Sequence, residues 1–166
     1  MNSTLEQLIG LLKQESDLYR SLQGVLDQEK EAAARSDIQA LNETGNEKET
    51  ILSEIQKKEE RRCQLVAGLA HKLGYAVGDL TLNRISQLVD EPFAGNLRQV
   101  SEDFLSVLSR VQSANQRNEQ IFMHSLELLR GSFNRLNELI TPNTVYYRSG
   151  DIQSTKSTGK CVSSEI

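Results

Sequence analysis

Residues 92–140, PFAGNLRQVSEDFLSVLSRVQSANQRNEQIFMHSLELLRGSFNRLNELI, decide the fold. The chain has two prolines, Pro92 and Pro142, and they bracket this stretch. Proline is tolerated in the first turn of a helix and just past its end, but it breaks a helix from within. Between them Phe93, Leu97, Val100, Phe104, Leu108, Val111, Ile121, Phe122, Leu129, Phe133, Leu136 and Ile140 recur at helical spacing. At a rise of about 1.5 Å per residue this predicts a helix roughly 70 Å long. A chain of 166 residues cannot wrap such a rod fully. Part of its apolar stripe is therefore expected to meet another chain or a mobile tail.

Working toward the N-terminus, the connector at 74–91 holds the turn-formers Gly74, Gly78 and Asp79. Thr81 is placed to cap a short helix over 81–89 that carries Leu82, Ile85, Leu88 and Val89. Before it, Ile38, Leu41, Ile51, Leu52, Ile55, Leu65, Val66, Leu69 and Leu73 mark a long helix over 36–73. Gly74 ends it, in the position that favours left-handed backbone. Leu5, Leu8, Leu12, Tyr19, Leu22, Leu26 and Ala33 alternate three- and four-residue steps, the seam of a coiled coil, over a first helix at 4–34. Ser3 with Glu6 fits a capping box for that helix, and Ser36-Asp37-Ile38-Gln39 is a second capping signature. A connection this short makes the first two helices antiparallel. Gly24, Gly45 and Gly131 fall inside expected helices at a cost of roughly 1 kcal/mol each against Ala. Close approach of another helix, or plain tolerance, would account for them.

The expected fold is all-α: an antiparallel hairpin of long helices plus a third very long helix, an elongated bundle or coiled coil spanning 1–140. Residues 141–166 are dominated by Ser, Thr, Lys and Gly, with Tyr146 and Tyr147 as their bulky side chains. That composition cannot bury enough surface to offset its ordering entropy, so a disordered, flexible tail is expected there.

Composition narrows the function classes. A net charge of −4 with interspersed signs offers no basic footprint for nucleic acid and no polybasic patch for an anionic membrane. The N-terminus lacks a basic and apolar leader, the longest apolar run (Leu65–Ala70) is too short to span a bilayer, and two cysteines imply no disulfide framework. A cytoplasmic protein without membrane insertion is expected. His71 and His124 lack a carboxylate three residues upstream, so the Glu-x-x-His metal pairing of helical bundles is missing. Cys63 adjoins Arg61 and Arg62 in sequence, but neighbouring helical positions do not face one another. With no phosphate loop, nucleophile elbow or zinc spacing, neither an enzyme nor a cofactor or metal is expected.

The informative region lies within the third helix. Residues 112–120 hold one apolar side chain, Ala114, and Asn115 and Asn118 occupy the seam defined by Val111 and Phe122. Buried Asn at such positions fixes register. Alternatively, the neighbouring helices have ended and the amides face water. Beyond this break Ile121, Phe122, Leu126, Leu129, Phe133, Leu136, Leu139 and Ile140 cover an arc of roughly 140°, broader than a two-helix seam needs. Either the whole arc packs within the bundle, or one edge stays open for a helical partner with Phe122, Met123 and Phe133 as anchors.

The ordered set of motifs resembles the FlgN family of flagellar export chaperones. Residues 8–15 (LIGLLKQE), Tyr19, residues 29–32 (EKEA), Ser36-Asp37, Leu41 and Lys48 are similar to that family's opening hairpin. Residues 114–118 (ANQRN), followed by Ile121 and the Leu-rich end, resemble its Asn-Arg-Arg-Asn segment, and residues 147–150 (YRSG) its short Tyr/Gly tail element. Glu119 departs from the pattern, standing where a Gly often follows the second Asn. The resemblance implies a cytosolic chaperone of type III flagellar export that masks the terminal helices of hook–filament junction (hook-associated) proteins before secretion. It places client binding on Ile121, Phe122, Met123, Leu126, Leu129, Phe133, Leu136, Leu139, Ile140, Tyr146 and Tyr147. Export-apparatus components are further expected partners, and a homodimer stays open. The alternative is a constitutive coiled-coil scaffold.

Overall fold

The computed structural model describes residues 2–140, and all regular secondary structure among them is helical. The elements are α1 (Asn2–Arg35), α2 (Ile38–Leu73), a 3-10 turn (Val77–Asp79), α3 (Leu82–Leu88) and α4 (Phe93–Ile140). The chain divides into two units, Met1–Ile121 and Phe122–Ile166. Tyr146, Tyr147 and the rest of the expected tail lie outside the described residues.

Each boundary has a local cause. Ser36 adopts φ 55°, and the Asp37 carboxylate accepts a hydrogen bond from Ala40 N at 3.0 Å, so the turn and the cap of α2 occupy two adjacent residues. Gly74, at φ 73°, closes α2 in left-handed backbone. Thr81 caps α3 by accepting from Arg84 N at 3.2 Å. At the start of α4, Glu91 accepts from Gly95 N at 3.0 Å and from the Arg98 guanidinium at 2.9 Å, satisfying a donor that the helix leaves orphaned. Ser3, expected to cap α1, lies instead inside its first turn. The helix runs further toward the N-terminus than the Ser3–Glu6 pairing implies, an extension that costs a helix end little.

The core of the first unit is built from two clusters. One gathers Leu5, Leu8, Leu12, Leu69, Ala70, Leu97, Val100 and Phe104, with Leu80 and Ile85 of the connector sealing it. The other gathers Leu22, Val25, Leu26, Ile51, Ile55, Val107, Val111 and Ala114. On α4 the buried seam runs Leu97, Val100, Phe104, Val107, Val111, Ala114, Asn118, alternating steps of three and four. Val107 fills a seam position where Leu108, only partly buried, is expected.

Two buried carboxylates interrupt this apolar seam. Glu15 on α1 is 1% exposed and accepts from Arg62 Nε on α2 through both oxygens, at 3.2 and 3.0 Å. The Arg62 guanidinium stands 6.0 Å from the centre of the Phe104 ring, which Tyr19 meets edge-on. Glu29, also buried on α1, pairs with Lys48 of α2. In both ion pairs the residue numbers total 77, as they do for Leu8 with Leu69, Leu22 with Ile55 and Leu26 with Ile51, which share clusters. A single antiparallel register satisfies every layer. Slipping α2 by one heptad would set Glu15 against Ile55 or Leu69, stranding a buried charge.

Gly24 and Gly45 have nothing within 4 Å of where a Cβ would stand, so no close helix approach requires them.

Candidate functional site

Asn118 marks the last buried polar layer of the first unit. Its Nδ2 donates to Leu26 O at 2.7 Å and to Glu29 Oε2 at 2.8 Å, joining α4 to the Glu29–Lys48 pair. Asn115 is exposed; its place between the buried Ala114 and Asn118 turns it away from the seam. The two asparagines therefore differ in environment, one satisfied inside the bundle and the other facing solvent.

Past this layer the character of α4 changes. Ile121 and Phe122 are partly buried, and every residue from Met123 to Ile140 is exposed. Eight of the twelve exposed large apolar side chains among the described residues fall in that segment: Met123, Leu126, Leu128, Leu129, Phe133, Leu136, Leu139 and Ile140. Phe133 is 68% exposed and Leu139 83%. The other four, Ile38, Leu52, Leu88 and Leu105, are scattered singly, which is ordinary for a soluble surface. A contiguous row of this kind is not ordinary for a soluble surface. Its side chains recur at three- and four-residue steps along one side of the helix.

Elsewhere among the described residues no comparable row of apolar side chains is exposed. The cleft lined by Lys13, Asp17, Arg20, Asn96 and Asp103 is polar and holds about 290 Å³. Among the described residues no group of three or more His, Cys, Asp or Glu side chains is arranged to hold a metal ion. No described helix is long and apolar enough to cross a membrane.

The model of the FlgN protein family matches residues 1–154. The chain belongs to the FlgN family. Membership places it among the chaperones of flagellum assembly and export. The match takes in the hairpin, the segment 114–118 and the whole exposed row of α4, and continues beyond the last described residue. Neither the curated proteins nor the solved structures gave a match to this FlgN chain.

The buried carboxylates of this FlgN protein are what sequence reading passed over. Burial pushes the Glu15 carboxyl above the ordinary carboxylate range, and Arg62 works against that shift without cancelling it. Tyr19 beside it is raised by the same desolvation. A signal was available: Glu15 and Glu29 fall on the three–four positions between Leu12 and Tyr19 and between Leu26 and Ala33.

Proposed function

We propose that this FlgN chaperone holds hook-associated proteins by masking their amphipathic terminal helices with the row from Ile121 to Ile140, and that Tyr146 and Tyr147 add to the grip. The observation that supports this is the concentration of exposed apolar side chains between Met123 and Ile140. Fully burying one Leu or Phe contributes about 1.5–3 kcal/mol, so a client helix covering several of them is held firmly yet reversibly. Masking the client's helix in this way prevents premature coiled-coil assembly before secretion.

The test is co-purification of the full chain with purified hook-associated proteins. Phe133→Asp and Leu136→Asp are expected to lose capture while helical content and thermal midpoint stay near wild type, both side chains being exposed. Undiminished capture by both variants would place the client elsewhere. A stable dimer that persists unchanged when client is added would favour the scaffold.

A further inference from the structure

The apolar row has a simple internal order. Phe122, Leu126, Leu129, Phe133, Leu136 and Ile140 alternate steps of four and three. At about 100° per residue all six lie within roughly 40° of one line along the helix. Met123, Arg130 and Asn137 border that line on one side, and Ser125, Ser132 and Leu139 on the other. The remaining ionisable residues of the segment, His124, Glu127, Arg135 and Glu138, fall on the opposite half of the helix, roughly 140° or more away. Arg130 is thus the one charge at the edge of the apolar row between Phe122 and Ile140. It is exposed, and no ion pair involving it occurs among the described residues.

That placement discriminates between occupants. A second copy lying antiparallel can layer all six seam residues in one way: Phe122 with Ile140, Leu126 with Leu136, and Leu129 with Phe133. The two-fold axis then falls at position 131. The two copies of Arg130 meet on the same edge, offset by about 3 Å along the axis. Like charges so placed oppose the pairing. Parallel, in-register pairing sets Arg130 beside Ser125 of the second copy and gains no ion pair. A foreign helix with an Asp or Glu at the matching edge position gives Arg130 the partner it lacks, next to apolar side chains that exclude water.

We propose that Arg130 is the specificity-determining residue of the row. It selects an amphipathic helix of another protein that carries a carboxylate at the seam's edge, and it disfavours a second copy of this chain. This rests on the reading that the row holds a client helix. Electrostatics of this kind act mainly through choice of partner rather than raw affinity.

The experiment uses the full chain and two synthetic helical peptides of about 21 residues, roughly six turns. They share one Leu/Ile seam, and one carries Glu at every edge position where the other carries Lys. Affinities are read by fluorescence anisotropy, and the quantity of interest is the ratio of the two. The chain's net charge of −4 shifts that ratio toward the Lys peptide in every variant, so the change on substitution carries the information. Arg130→Gln is expected to move the ratio about fivefold toward the Lys peptide, and Arg130→Glu further. Both changes should shrink at about 0.5 M salt, where screening reaches a few ångströms. A peptide copying residues 119–143 should bind Arg130→Glu more tightly than wild type. If Arg130→Gln leaves the ratio unchanged while Phe133→Asp abolishes binding of both peptides, the role of Arg130 is overturned and the client row stands. If Phe133→Asp binds both peptides as wild type does, the row itself is not the docking surface and the proposal fails with it.

Discussion

Replacing Arg62 with Met removes the partner of a buried carboxylate while keeping a long apolar stem against the Phe104 ring. Glu15 is 1% exposed, and its two oxygens are held by Arg62 Nε. Leaving a buried charge unpaired costs about 3–5 kcal/mol, a large share of the roughly 5–15 kcal/mol that holds a domain folded. The carboxyl can limit that loss by taking up a proton. Its ordinary value is 4.5 and burial already raises it, so without Arg62 it rises further. Protonation in the folded state then limits the loss, and it costs less the lower the pH. The sign follows from the proton count. Between the unfolded and the raised folded value the native state binds the extra proton, so stability rises as pH falls. Near pH 5.5 part of the loss should therefore return. The assay is urea unfolding followed by circular dichroism at both pH values, with Glu15→Gln/Arg62→Met measured alongside. The double variant, which has no charge to strand, should recover most of the loss at pH 7 and show little pH dependence over this range. A loss of equal size at both pH values, unrelieved in the double variant, would refute the electrostatic account and assign Arg62 a packing role on Phe104.

Two further pairs of substitutions separate residues that look alike in sequence. Asn118→Ala strips donors from Leu26 O and Glu29 Oε2 and should cost about 1–3 kcal/mol by chemical denaturation, whereas exposed Asn115→Ala should stay within about 0.5 kcal/mol of wild type. Gly24→Ala, in open space inside α1, should raise stability by about 0.5–1 kcal/mol; Gly74→Ala, at φ 73°, should lower it by about 1–2 kcal/mol, and thermal scans of the pair would show opposite shifts.

The helices were legible because their apolar spacing and their stop signals agree. Three–four alternation, Asp37, Gly74, Thr81 and Pro92 all point to one set of elements, and all regular secondary structure among the described residues is helical. The polar layers were not legible, because charged side chains are almost always solvated and a pattern search skips them. Glu15 and Glu29 sit on seam positions of α1, and Lys48 and Arg62 sit on the matching positions of α2. Reading all seam positions, instead of the apolar ones alone, would have exposed both pairs. Asn118 and Asn115 were indistinguishable for a different reason: only the location of Leu26 and Glu29 opposite one of them decides which is enclosed. The open row of α4 was foreseeable from the width of its arc, but whether anything in the chain covered it depended on where other elements ended. That is a tertiary fact, which local spacing does not encode.

The paired carboxylates also constrain how this hairpin can evolve. Glu15 and Glu29 are two heptads apart on one helix, and Lys48 and Arg62 are two heptads apart on the other. A residue gained or lost between the anchors of one strand of the hairpin throws one bridge out of alignment unless the opposite strand changes in step. Length variation among relatives should therefore collect at the tip near Ser36 or outside the anchored span, and any indel within it should come as a matched pair.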